Sequence, residues 1–130
     1  MFQELNLAET QLKTLPDGLF VSGKLRFLDL HGNQLIDVPP ALQSAVQLRE
    51  LNLNANPIEM LDAASFTGLT SLVKLKVSML DQLKQIEGNT FTPLRNLKSL
   101  DCSQNGQLRY IHPNAFSNVT NLEEVLSPSD

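Results

Sequence analysis

The sequence has very little of several residue types that mark particular functions. It contains one cysteine and no tryptophan, and aromatic residues make up 5% of its 130 residues. A single cysteine excludes an internal disulfide and a zinc site built on cysteines. No apolar run approaches the roughly 20 residues that a membrane-spanning helix needs, and the first ten residues lack the apolar stretch of a secretory signal. The sequence therefore predicts a single globular unit with no direct membrane insertion.

Basic residues are also scarce and are scattered along the chain. Lysine and arginine together number 10 against 14 aspartates and glutamates, which gives a formal charge of −4. A mildly acidic chain without a basic cluster predicts that neither nucleic acid nor an anionic membrane is the main partner. The hydrophobic content of 42% is too high for a disordered chain.

What the sequence has in abundance is internal repetition. Five similar segments and a truncated sixth begin 23, 23, 24, 25 and 25 residues apart. Each carries apolar residues at its first and fourth places, and the first five carry another at the sixth. The repeats fill residues 1–130 and predict one domain, with segments starting at Phe2, Leu25, Leu48, Leu72, Leu97 and Leu122.

The alternation of polar and apolar residues at places three to six predicts a short strand with one wet and one dry face. One such unit cannot cover its own dry face, so neighbouring units must stack with their strands paired in parallel. Longer return segments on the outside then bend the stack into an arc, with the wet faces of the strands lining its inner curve.

The segments LRFLDLHGNQL from Leu25 and LRELNLNANPI from Leu48 resemble the leucine-rich repeat signature L-x-x-L-x-L-x-x-N-x-L. The resemblance implies an α/β fold: a right-handed solenoid, or horseshoe, with a parallel sheet on the concave face and loops or short helical turns on the convex side. The later return segments, with a phenylalanine every 25 residues at Phe66, Phe91 and Phe116, resemble the repeats of animal extracellular proteins such as Toll-like receptors and leucine-rich proteoglycans.

The ninth place of each repeat predicts how the turns are held. Asn33, Asn56 and Asn105 occupy it in three repeats, and a buried amide there must find hydrogen-bond partners. Thr10 can replace the amide in part, whereas Leu80 cannot. Repeats four and five also carry one extra residue after this place. An irregular, wider turn is therefore predicted at Met79–Leu83, with Asp81 or Gln82 as the alternative inward group. The three phenylalanines are predicted to stack inside the convex wall.

No catalytic, cofactor or metal site emerges from the sequence, so no enzyme is predicted. Cys102 occupies the sixth place of its segment, where the other repeats carry leucine or valine, and is predicted to be a small buried residue. His31 and His112 fall on opposite sides of the predicted arc, where they cannot share a metal ion. No phosphate-binding glycine motif or nucleophile elbow is present.

The candidate site is the wet side of the strands, because it presents outward side chains on a rigid, curved frame. Phe27 is the only aromatic residue at a wet place and is a candidate anchor for a protein partner; a solitary exposed apolar residue is the equally acceptable interpretation. Lys74 and Lys76 are predicted to make charge contacts across the strands rather than an anion site. The full candidate set is Phe27, Asp29, His31, Arg26, Arg49, Glu50, Asn52, Asn54, Lys74 and Lys76.

These observations predict a recognition module that binds another protein, as part of an extracellular receptor or a secreted recognition protein. Asn118-Val119-Thr120 is an N-glycosylation pattern consistent with that setting. The resemblance also leads us to expect cysteine-rich caps, which this sequence lacks. Two explanations stay open: the chain is part of a longer protein, or it is complete and associates with itself through uncapped ends. An intracellular adaptor is a further alternative.

Overall fold

The computed structural model describes residues 3–127 and builds them from short strands and turns. Three residues at the centre of each repeat form a strand, and the return segments add three two-residue strands and one 3-10 helix. The strands are β1 (Glu4–Asn6), β2 (Phe27–Asp29), β3 (Glu50–Asn52), β4 (Met60–Leu61), β5 (Lys74–Lys76), β6 (Gln85–Ile86), β7 (Ser99–Asp101), β8 (Tyr110–Ile111) and β9 (Glu124–Leu126), and the helix η1 is Pro40–Ser44. Phe2, where the first repeat was predicted to start, lies outside the described residues.

Six of the strands form one parallel sheet in the order β1-β2-β3-β5-β7-β9. The register matches the repeat, because each fourth-place residue pairs with the next one: Leu5 with Leu28, Leu28 with Leu51, and Leu51 with Leu75. These leucines point to the dry side, and the last three are buried. The predicted solenoid with a parallel sheet is therefore confirmed.

A second, smaller parallel sheet on the return side was not predicted. It has the order β4-β6-β8, with Met60 paired to Gln85 and Gln85 paired to Tyr110. The sequence analysis expected only loops and short helical turns there. The return of the second repeat does contain the short helix η1, which begins at Pro40, where a fixed φ suits the first helical position.

The predicted aromatic stack lies inside the return side. The rings of Phe66 and Phe91 are stacked with centroids 5.8 Å apart, and those of Phe91 and Phe116 are stacked at 4.8 Å. Phe66 and Phe91 are completely buried, whereas Phe116 is half-buried. The stack is part of one continuous hydrophobic core that runs through the described repeats, so the core-packing interpretation of these rings is confirmed.

The asparagines hold the turns as predicted. The amide nitrogen of Asn56 donates to Leu30 O and to Leu53 O, both at 3.0 Å, and its oxygen accepts the Leu35 N–H at 3.2 Å. One side chain thus joins its own turn to the turn of the preceding repeat. Asn33 and Asn105 repeat the arrangement, and Thr10 reproduces part of it with a hydroxyl that donates to Leu7 O at 2.7 Å.

Leu80 occupies the ninth place of the fourth repeat and is completely buried. It cannot bond to the carbonyl groups that an asparagine would serve, yet both carbonyls have a donor. Leu53 O accepts from Asn56 and Val77 O accepts from Asn105, each at 3.0 Å. The neighbouring asparagines therefore make one apolar residue at this place tolerable.

The extra residue in the fourth repeat is accommodated by a hydrogen-bonded turn rather than by an irregular loop. The Leu83 N–H donates to Leu80 O at 3.0 Å, whereas the φ of 55° at Met79 is shared by the equivalent Ala55, at 58°, in a repeat without the extra residue. Asp81 and Gln82 are both exposed, so the alternative in which one of them reaches inward is wrong.

Candidate functional site

The wet side of the large sheet forms a groove, here called the concave groove. The side chains at places three and five of β1, β2, β3 and β5 face it, because alternate residues of a strand point to the same face. Its volume is about 500 Å³, and it is lined by Glu4, Leu5, Asn6, Phe27, Leu28, Asp29, Glu50, Leu51, Asn52, Lys74 and Lys76. Six of the ten predicted site residues are in this set.

Phe27 stands near the centre of the concave groove. It pairs in register with Glu4 on one side and with Glu50 on the other, and Glu50 pairs with Lys74. Its side chain is half-buried, so part of the ring is available to a partner. Charged residues therefore flank the ring on both sides. Glu4 was not among the predicted site residues, although it shares the third place with Phe27.

Residues at the fifth place also close the turn that follows each strand. The side-chain oxygens of Asn6, Asp29, Asn52 and Asp101 each accept a backbone N–H two residues later, at 2.9–3.0 Å. Lys76 cannot accept such a bond, and the Ser78 N–H donates instead to the side-chain oxygen of Asn54 at 2.7 Å. The predicted residue Asn54 is therefore engaged in holding the chain and does not line the groove.

His31 also lies beyond the lining of the concave groove, at the end of the second strand. Its Nδ1–H donates to the Asp29 carboxylate at 2.8 Å, and its backbone N–H donates to the same oxygen at 3.0 Å. Its Nε2 is 4.0 Å from the Glu9 carboxylate. The imidazole therefore belongs to a small polar cluster with Asp29 and Glu9, of which only Asp29 lines the groove.

The predicted charge contacts of Lys74 and Lys76 are absent. Lys74 pairs in register with Glu50, and Lys76 with Asp101. Within residues 3–127, however, the ion pairs closer than 4.0 Å both involve His31. The prediction is wrong because an exposed ion pair gains little over hydration of two long, mobile side chains. Both ammonium groups are consequently available to a partner.

Arg26 and Arg49, which were predicted to belong to the site on the wet side of the strands, do not line the concave groove. They hold the second place of their repeats, just before the strands begin, and they line a different depression on that edge of the arc. This flank groove has a volume of about 610 Å³ and is lined by Arg26, Gln47, Arg49, Ser71, Val73, Asn96, Lys98 and Asn121. The correction also shows that basic residues scattered through the sequence are gathered by the fold.

Comparison with protein families agrees with this geometry. A family described as "BspA type Leucine rich repeat region (6 copies)" matches residues 40–130, which is more than half of the chain. A second, "Leucine Rich Repeat", matches residues 24–45.

The chain belongs to the leucine-rich repeat family.

Individual leucine-rich repeat proteins resemble the chain over part of their length. Tsukushi-A of Xenopus laevis is 42% identical over 59 residues, covering 45% of this chain and 16% of that protein. The crystal structure of a TLR13–ssRNA13 complex contains a chain that is 29% identical, with a TM-score of 0.63, covering 95% of this chain and 21% of that one. The resemblance to Toll-like receptor repeats is thus confirmed.

A third relative supports the leucine-rich repeat fold alone. The structure of the Toll–Spatzle complex from Drosophila, in its glycosylated form, superposes with a TM-score of 0.80 at 23% identity, covering 89% of this chain and 16% of that one. The chain therefore spans between 16% and 21% of the length of these three proteins.

The described residues of the chain do not bring together the side chains that metal binding or nucleophilic chemistry would need. No cluster of three or more histidine, cysteine, aspartate or glutamate side chains there could hold a metal ion. Cys102 is buried in the core, and its Sγ donates to Leu126 O at 3.2 Å. The Nδ1 of His112 accepts the Asn114 N–H at 2.9 Å, in a return segment far along the chain from His31.

Two further observations concern the last return segment and the helices of the chain. Asn118, in the predicted glycosylation pattern, is exposed in the last return segment, as is Thr120. Residues 3–127 also contain no helix of the length and hydrophobicity that crossing a membrane would require.

Proposed function

We propose that this leucine-rich repeat binds another protein through the concave groove, without catalytic activity. The observation that carries the proposal is Phe27, a half-exposed aromatic ring at a place where the five other strands of the large sheet carry polar residues. Aromatic anchors surrounded by polar contacts contribute most of the binding energy in many interfaces. TLR13 and Toll were both determined in complexes, with an RNA and with Spatzle respectively, which supports a recognition role.

The charges of the concave groove define the chemistry of the partner. Glu4 and Glu50 flank Phe27, and Lys74 and Lys76 follow on the next strand. A complementary partner presents an apolar side chain to Phe27, basic groups beside it, and acidic groups opposite the two lysines. We propose an extracellular or cell-surface setting, supported by the glycosylated Toll relative and by the exposure of Asn118, the proposed glycan acceptor.

Phe27→Ala is expected to weaken partner binding by about 2 kcal/mol, or roughly thirtyfold in Kd, because it removes the aromatic anchor. The partner is first identified by affinity capture with the 130-residue chain, and its affinity for each variant is then measured by surface plasmon resonance. Circular dichroism verifies that each variant is folded.

Val21→Ala is the matched control, since Val21 is an apolar residue that is 74% exposed in a return segment. Its affinity for the partner is expected to equal that of the unaltered chain. Unchanged binding by Phe27→Ala, or an equal loss in both variants, would remove Phe27 from the interface.

A second candidate role is association between two copies of the chain. In β9, Val125 and Leu126 are 48% and 43% exposed, so an apolar surface is open beside the last described strand. We expect multi-angle light scattering to show a concentration-dependent dimer that Val125→Glu abolishes, because a buried unpaired carboxylate is strongly unfavourable. A monomeric mass at every concentration would exclude this role.

A further inference from the structure

We propose that the flank groove binds a sulfated polysaccharide chain. This surface is separate from the concave groove, and its charge has the opposite sign. Among the described residues that line it, Arg26, Arg49 and Lys98 are cationic and none is acidic, so its formal charge is +3. The lining of the concave groove carries two lysines against three carboxylates, a formal charge of 2 − 3 = −1.

The cations of the flank groove are held in a row by the backbone. The Arg49 N–H donates to Arg26 O at 2.8 Å, the Val73 N–H donates to Arg49 O at 2.8 Å, and the Lys98 N–H donates to Val73 O at 2.9 Å. Each of these residues directly precedes the strand of its own repeat, so successive residues in the row are about 4.8 Å apart. Arg26 and Arg49 are therefore direct neighbours.

Two arginines on neighbouring repeats suit a tetrahedral anion such as a sulfate ester, because each guanidinium presents a fork of donors to a pair of oxygens. Neither arginine, nor Lys98, lies within 4.0 Å of a carboxylate in residues 3–127. An anionic ligand would therefore not have to break an ion pair of the described residues, although an acidic residue, Glu123, follows Lys98 in the same row, its N–H donating to Lys98 O at 2.8 Å.

The remaining lining residues favour a sugar over other polyanions. Ser71 offers a hydroxyl, and Gln47, Asn96 and Asn121 offer amide groups. The amide of Asn96 donates to Thr70 O at 2.7 Å, and that of Asn121 donates to Arg95 O at 3.1 Å. These bonds fix the two side chains, whose oxygens are acceptors suited to sugar hydroxyl groups.

The length and the lining of the groove point to a linear chain rather than to a nucleic acid. From the second repeat to the sixth there are four intervals, or about 19 Å along the edge of the sheet. Non-specific binding of single-stranded nucleic acid depends on aromatic rings that stack on the bases. No aromatic residue lines the described flank groove, so the contacts available are those to charges and hydroxyl groups.

The test uses a fluorescently labelled heparin hexasaccharide and the 130-residue chain at physiological ionic strength. The unaltered chain is expected to bind it, and the double variant Arg26→Ala/Arg49→Ala is expected to bind at least roughly tenfold more weakly, since charge-assisted hydrogen bonds are lost. The dependence of Kd on salt concentration is expected to become shallower in the same variant.

The matched control is Lys84→Ala/Arg109→Ala. These exposed cations also belong to neighbouring repeats joined by a backbone hydrogen bond, from the Arg109 N–H to Lys84 O at 2.9 Å, but they lie outside the flank groove. Heparin binding by the control is expected to change by less than about twofold, because cations outside the groove make no direct contact with the ligand and salt weakens their remaining attraction to it. Circular dichroism verifies that both variants are folded.

Four outcomes would overturn the proposal. The unaltered chain fails to bind the hexasaccharide, both double variants lose affinity equally, or chemically desulfated heparin binds as tightly as heparin. The fourth is tighter binding of a single-stranded RNA decamer or a polyglutamate peptide than of heparin in the same buffer, which would assign the groove to a nucleic acid or to an acidic protein segment.

Discussion

Phe91→Ala is expected to lower the free energy of unfolding by about 3–5 kcal/mol, the upper part of the range for large-to-small changes in a core. Phe91 is completely buried, and its ring stacks on Phe66 at 5.8 Å and on Phe116 at 4.8 Å. Truncation therefore removes two aromatic contacts and leaves a cavity between two return segments. Urea unfolding followed by circular dichroism measures the change.

Two further variants test whether the cavity at Phe91 causes the loss of stability. Phe116 is half-buried and stacks on one ring, that of Phe91, among the ring contacts of the described residues. Phe116→Ala should therefore be less destabilising than Phe91→Ala. Phe91→Leu retains most of the buried volume and should cost less than about 1.5 kcal/mol. An equal loss in Phe91→Ala and Phe116→Ala would contradict the stacked arrangement.

The stack shows which parts of the fold were predictable from the sequence. Phe66, Phe91 and Phe116 are 25 residues apart, so any parallel stacking of the repeats must bring them into contact. The ninth-place asparagines were predictable for a related reason, because a buried amide needs several partners and only the turns of adjacent repeats are near. In a solenoid, side chains that recur at the repeat period lie next to one another, so their contacts can be predicted from the spacing alone.

The small sheet on the return side could not be predicted in this way. Its strands begin with the chemically unlike residues Met60, Gln85 and Tyr110, and each strand is two residues long. Pairing there depends on backbone groups that the equal lengths of the later repeats bring into register. Hydrophobic periodicity does not report that contact, because one side of each pair is exposed and tolerates any side chain.

Strand alternation predicted which residues within the strands face the concave groove, but it could not predict the positions of residues outside the strands. Alternation correctly put Phe27 and Glu50 on one face. It did not place Arg26 and Arg49, which precede the strands and turn toward the flank. Nor could alternation show whether Lys74 forms an ion pair with Glu50. The register fixes the distance between the two backbones but not the contact between two long side chains.

Asn105→Leu is expected to lower the free energy of unfolding by about 3 kcal/mol or more, from about 1–3 kcal/mol for each of three buried groups that lose this partner. Asn105 donates to Val77 O at 3.0 Å and to Cys102 O at 2.9 Å, and its oxygen accepts the Leu80 N–H at 2.8 Å. Leucine has the branched shape of asparagine but is larger, and the completely buried Leu80 shows that the equivalent place accepts it. Because the preceding repeat has Leu80 at the equivalent place, it provides no second amide for Val77 O.

Asn33→Leu is the matched control, because the carbonyls that it serves have another donor. Leu7 O also accepts from the Thr10 hydroxyl at 2.7 Å, and Leu30 O also accepts from Asn56 at 3.0 Å. The N–H groups of Thr10 and Leu12 that lose the Asn33 oxygen lie in a partly exposed turn, where water can replace it. Asn33→Leu should therefore be clearly less destabilising than Asn105→Leu in the same urea titration. Equal losses would show that a neighbouring asparagine does not compensate for an apolar residue at the ninth place, and the explanation given for Leu80 would fail.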